Sequence, residues 1–231
     1  MVEQKKVRVS PRISVNKLGE YLLAGPSKRK RVVFDQKYPR DFIVARYTLA
    51  ENAMIKFLSN QADRYNAIYA DLQRIINSPA GTPWELQRNQ LCSDAIEKFL
   101  DMEDKFSFQG LNLVQADNDL PNMMIKGVEI SIKPEFFLIG ENKKKEKTLG
   151  ALIIYLSKTN PLNQDSGEYI TSLLKQYLEA YFSTTGKVVS KMCFVADIFT
   201  GEIFTAPSAY TRRQQDIEAA CEEISRTWQA V

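Results

Sequence analysis

The apolar positions follow a helical period through roughly the first hundred residues and a strand period after about residue 110. Ser14 stands where a helix cap belongs. Val15, Leu18, Leu22 and Leu23 give a helix over 14–24 one apolar side. Gly25, Pro26 and Ser27 read as stop, turn and new start, and a second short helix opens at Lys28. Two short helices about a glycine turn resemble a helix-turn-helix in outline. Pro39 breaks the chain again. Ile43, Leu49, Ala50, Ala53, Met54, Phe57 and Leu58 predict a helix over 42–58, and Tyr65, Ile68, Tyr69, Leu72, Ile75 and Ile76 another over 63–77. Thr82, Pro83 and Glu85 supply a cap, a first-position proline and the acid of a capping box. They start a helix expected to reach about residue 103.

Strict alternation over 126–133 predicts a half-buried strand, which Pro134 and Glu135 interrupt. A short strand over 136–139 and an exposed turn over 141–147 follow. Residues 149–156 are apolar on both faces, the pattern of a central strand. A capping-box pattern at Asp165 and Glu168 opens a helix over 165–182. A strand over 188–199, a turn at Thr200 and Gly201, a strand over 202–205 and a last helix from about 211 complete the chain. The expected class is α+β or α/β. A helical N-terminal part precedes a sheet flanked by helices in the order β-β-β-α-β-β-α. The expected division is a basic helical region over 1–80 and a core over 81–231, with 107–122 as the other place for the boundary.

Composition narrows the chemistry. The 231 residues include no histidine and three scattered cysteines, Cys92, Cys193 and Cys221. Ser-His-Asp triads, Cys-His pairs, HExxH sites and structural zinc sites are thereby excluded. The cysteines read as buried free thiols of a cytoplasmic protein. Phosphate loops, GxGxxG, GxSxG, SxxK and EF-hand patterns do not occur. No apolar run approaches the roughly 18 residues that span a bilayer. Residues 1–6 do not begin a secretory leader, and a soluble intracellular protein with no membrane partner is expected.

Charge is unevenly placed. The net charge is +3, yet residues 1–47 hold twelve basic and four acidic side chains, leaving 19 basic against 24 acidic in the remainder. Arg12, Lys17, Lys28, Arg29, Lys30, Arg31, Lys37 and Arg40 are candidate phosphate contacts, with Arg46 at their edge. The alternative is a solvated helix face. Lysines 143, 144, 145 and 147 suit a solvated hairpin tip, or else a further phosphate contact. Arg212 and Arg213 open the last helix against its dipole, which suits an anionic contact or pairing with Asp216. Tyr65, Tyr69, Tyr177 and Tyr181 fit core and rim rather than stacking platforms.

The helix over 82–103, the strands over 126–156, the helix over 165–182 and the strand over 188–199 resemble the PD-(D/E)XK nuclease superfamily. The resemblance spans residues 82–200 and includes the local pair Pro134 and Glu135. It implies a divalent metal, Mg²⁺ or Mn²⁺, held by an acid on the second strand and by a (D/E)xK on the third. Glu135 stands at the first acidic position. Lys158 follows the third strand, but Leu156 occupies the place of the motif's acid. Glu129, Asp197 and Glu168 are the remaining candidate acids. Gln176 and Tyr181 resemble a Gln/Tyr pair of some exonuclease-type members, at a different spacing.

Three functions follow. The first is nucleic-acid association through the basic segment, with a nuclease-like core. The second is a Mg²⁺- or Mn²⁺-dependent nuclease in which Glu135, Asp197 and Glu129 hold metal and Lys158 orients water. The third is a non-catalytic subunit, docked on a protein partner or on a second copy of itself. Pairing of Asp197 with a basic residue or with the turn at 200–201 is its structural alternative, and a strand end is that of Glu135.

Overall fold

A computed structural model describes residues 7–39, 46–60, 62–108 and 110–231. Eight strands and seven α-helices are present among them, an α+β arrangement. The strands are β1 (Arg12–Ser14), β2 (Asn112–Gln115), β3 (Met123–Ile125), β4 (Val128–Ser131), β5 (Phe136–Glu141), β6 (Lys147–Tyr155), β7 (Lys187–Asp197) and β8 (Glu202–Thr205). The helices are α1 (Val15–Leu23), α2 (Pro26–Lys37), α3 (Thr48–Ser59), α4 (Arg64–Ile76), α5 (Pro83–Leu100), α6 (Gln164–Tyr181) and α7 (Thr211–Ala230), with a 3-10 turn at Glu103–Phe106.

A five-stranded sheet of order β2-β5-β6-β7-β8 divides the molecule. Its neighbours are antiparallel except β6 and β7, which run parallel with α6 as their crossover. From Thr148 to Tyr155 every residue of β6 is buried, because both faces of this strand are covered. Leu149, Ala151, Ile153 and Tyr155 face α1, α2, α6 and α7; Leu152 and Ile154 face α3, α4 and α5. On the second side an aromatic chain runs from Tyr65 through Phe57, Phe99, Phe106 and Phe108 to Phe194. Its edge-on and tilted contacts tie three helices to the sheet.

The strand expected over 126–133 does not belong to the central sheet. Lys126 and Gly127 both have positive φ, 48° and 78°, so the chain turns there. The turn makes a β3–β4 hairpin, and β4 pairs with β1 in a separate sheet of order β1-β4-β3. β5 instead takes β2 as its outer neighbour, from the stretch given as the other place for the domain boundary. Helix α6 is capped two residues earlier than Asp165 suggested. Asn163 accepts from the Ser166 N–H at 2.9 Å, and Ser166 Oγ accepts from the Asn163 N–H at 2.9 Å. The capping box at Thr82 and Glu85 is present as expected. Residues 42–45 of the helix expected over 42–58 lie outside the described residues, and α3 begins at Thr48.

The described residues among 1–80 contribute to both sides of the sheet. α1 and α2 share a core with α6 and α7, while α3 and α4 share one with α5. Among the described residues, no helix is long and apolar enough to cross a membrane. The three cysteines are buried and free, and burial pushes the Cys193 and Cys221 thiols up to about 12.

β6 meets β7 through a register break. Leu149 faces Val188, but Ala151 already faces Cys193, so β7 bulges between them. Gly150 stands at the break with the Met192 backbone where its side chain would be.

Candidate functional site

The carboxyl ends of β6 and β7, with the start of β5, collect three of the candidate residues. Glu135 lies where β5 begins, after Pro134 has ended the preceding segment. Its N–H donates to the Leu152 carbonyl at 2.9 Å, and its Oε2 accepts from the Ile154 N–H at 2.6 Å. The side chain thus extends the ladder beyond the point where the β5 backbone leaves it. Burial pushes its carboxyl well above the ordinary range, and the nearby Glu51 of α3 pushes it further. Glu51 is itself raised by burial.

Asp197 is fully buried. Oδ2 accepts from the Leu162 N–H at 2.8 Å, and Oδ1 from the N–H groups of Phe199 at 3.0 Å and Thr200 at 3.3 Å. One carboxylate therefore pins the loop entering α6 to the turn between β7 and β8. Burial outweighs these bonds and leaves its carboxyl above the ordinary range. Of its two structural alternatives, pairing with the turn is the one present.

Lys158 follows β6 and lies on the exposed surface. Its Nζ is 2.8 Å from Asp94 Oδ2 of α5. The bond to Asp94 raises the lysine, and Lys158 holds Asp94 below the usual carboxylate range. Glu129 belongs to β4 in the other sheet, accepts from Asn122 Nδ2 and sits 3.6 Å from Arg12 Nε. Glu168 pairs with Arg213 on α7.

These acids do not gather. Among the described residues no three His, Cys, Asp or Glu side chains are placed to hold a metal ion. Glu135 is bonded to strand backbone, and both oxygens of Asp197 accept backbone N–H groups. Glu129 is in a different sheet. This set does not fit the divalent metal that the nuclease resemblance implies, because such a cation needs several carboxylate oxygens turned toward one point.

The basic residues are mostly engaged within the fold. Lys17 and Lys28 both meet Glu20, at 2.7 and 3.1 Å. Burial works to raise Glu20, but the two lysines outweigh it and hold the carboxyl low. Arg29 pairs with Glu223 of α7 at 3.0 Å and donates to the carbonyls of Tyr21 and Leu22. Lys37 donates to the carbonyls of Trp228 and Val231. Arg12 faces Glu129, and Arg31 lies 3.9 Å from Asp35. Lys30 is exposed with no carboxylate beside it among the described residues, and Arg40 lies outside them. The segment read as a polyanion handle therefore also fastens α1 and α2 to the rest of the molecule.

A cleft of about 360 Å³ opens between α1 and the start of α6. Glu20, Lys28, Tyr155, Asn160, Asn163 and Ser166 line it. Lys28 Nζ donates to Asn160 Oδ1 at 3.1 Å, and the Tyr155 hydroxyl donates to the Asn160 carbonyl at 2.7 Å.

Sequence reading missed Glu51, Asp94 and Glu20. Each acts on a partner fixed by tertiary packing, as Asp94 does on Lys158 64 residues later. Only Glu20, three residues after Lys17, left a local signal.

The raised carboxyl of Glu135 has a measurable sign. A proton held more tightly in the folded state stabilises below the unfolded carboxyl range, near pH 4.3, and that stability is lost as pH rises through the folded value. Glu135→Gln keeps an acceptor for Ile154 without titrating. Thermal melts from about pH 5 to pH 8 should show the variant gaining on the native protein as pH rises. A difference independent of pH would count against it. No protein-family model and no curated protein matches the sequence.

Proposed function

We propose that the chain is a nucleic-acid-associated protein that binds phosphates through α2, and that it binds without cutting. The observation that carries this is the start of α2. Its first turns hold Lys28, Arg29, Lys30 and Arg31, with no acidic residue in the first turn and no side-chain cap. Cations at the positive end of a helix dipole are unfavourable, and a phosphate there relieves both the dipole and the mutual repulsion. Lys28 and Arg29 have partners within the fold, but Lys30 and Arg31 face outward, Arg31 with 82% of its side chain exposed.

The five-stranded sheet supports the nuclease-like part of the reading. After α5 the chain lays down β2, leaves for the β3–β4 hairpin, returns as β5 and β6, crosses through α6 and adds β7 parallel to β6, so that β2 stands where the segment 126–133 was expected. The dispersed carboxylates support binding without hydrolysis.

Fluorescence anisotropy with a labelled duplex and a labelled single-stranded RNA, over a salt series, tests the proposal. Affinity should fall steeply with salt, and Lys30→Gln with Arg31→Gln should reduce the logarithmic slope on duplex by roughly 0.9 for each lost phosphate contact. Absent or salt-independent binding would remove it. With Mg²⁺ or Mn²⁺ the duplex should stay intact; cutting that Glu135→Gln abolishes would overturn the non-catalytic reading.

A further inference from the structure

We infer that a second phosphodiester-binding edge lies at the opposite end of the central sheet, on the β5–β6 hairpin and the adjoining start of β7. This deepens the nucleic-acid reading and rests on it.

Lys143, Lys144, Lys145 and Lys147 are exposed on or beside the hairpin. Thr148 pairs with Lys187 across the parallel strands, which brings exposed Lys187 to the same end. Exposed Lys191 follows within the bulge of β7. None of these six lysines has a carboxylate within 4.0 Å among the described residues. The local acids are Glu141 and Glu146, so the edge keeps an excess of four positive charges. The contrast is with the N-terminal segment, where Arg12, Lys17, Lys28 and Arg29 face carboxylates of the same chain.

The hairpin is also built to present these lysines. Asn142 Oδ1 accepts from the N–H groups of Lys144 at 2.8 Å and Glu146 at 3.0 Å. Asn142 Nδ2 donates to Glu146 Oε2 at 2.7 Å, turning that carboxylate into the turn. Lys145 has φ of 60°, a left-handed conformation in which glycine or asparagine is favoured. Lysine therefore stands there at a conformational cost that glycine would avoid. Lysines act as point charges, so the contact reads phosphates and not bases. At about 3.3 Å per residue, the six residues of β5 put the edge roughly 20 Å from Glu135, clear of the carboxyl ends of β6 and β7.

The test uses the full chain, a labelled mixed-sequence duplex and a salt series, with a single-stranded RNA arm and an arm of phosphatidylserine vesicles. Replacing Lys143, Lys144 and Lys145 together by glutamine should reduce the logarithmic salt slope on duplex by up to about 2.7 and the affinity by about tenfold or more at moderate salt. Lys145→Gly keeps folding and binding apart. Glycine relieves the positive φ, so Tm should stay level or rise while affinity falls. Retained binding with a smaller slope for the Lys30→Gln, Arg31→Gln pair would leave the hairpin contact standing. A duplex that binds the triple variant with an unchanged slope removes this inference and leaves the α2 reading intact. No duplex or RNA binding by the native chain removes both. Hairpin-dependent binding to vesicles in preference to nucleic acid would overturn the inference.

Discussion

Asp197→Ala should destabilise the protein by about 3–5 kcal/mol, measured as a lower denaturation midpoint at an unchanged urea slope. The carboxylate is fully buried and accepts three backbone N–H groups, those of Leu162, Phe199 and Thr200. Removing it leaves these donors without a partner, at about 1–3 kcal/mol for each that water does not reach. Asp197→Asn should lie between the two. Its single carbonyl oxygen can serve Leu162 or the Phe199–Thr200 pair, and its NH₂ then faces donors on the other side. A loss under about 1 kcal/mol for alanine would show that water replaces the carboxylate and that Asp197 does not hold the two loops together.

Gly150→Ala should cost about 3 kcal/mol or more, at the upper end for overpacking. A methyl group at this position would lie inside the Met192 backbone, and Met192 belongs to a strand that cannot shift as a flexible side chain can. To fit the methyl group, β7 must part from β6 at the register break between Leu149 and Ala151. Gly25→Ala is the control. Nothing lies within 4 Å of its added methyl, and its φ of −70° suits any residue. Gly25 is the N-cap of α2, where alanine is less favoured than glycine, so its effect should stay within about 1 kcal/mol. Equal midpoints for the two variants would mean that β7 yields, and that the bulge is soft.

The sequence carried the local features well and the pairings poorly. The capping box at Thr82 and the doubly apolar β6 follow from residues a few positions apart, and both are present. β1, β2 and β3 are three or four residues long, too short for a periodic signal. Their existence depends on partners far along the chain. The same holds for charge. The excess over residues 1–47 was plain, but Glu223 and the Trp228 carbonyl, which engage Arg29 and Lys37, were not. Asp197 shows the division at one residue: its pairing with the turn at 200–201 is readable locally, while the Leu162 donor, 35 residues away in sequence, is not.

The parallel pairing of β1 with β4 joins Arg12 to Glu129. Arg29 and Lys37 find their acceptors on the last helix or just beyond it. A chain emerging from its N-terminus thus exposes α1 and α2 long before their partners exist, and closing so long a loop adds an entropic cost that only the finished contacts offset. A segment made early is thereby held by one made much later. Until then Arg12, Arg29 and Lys37 lack these distant partners and are open to any polyanion nearby.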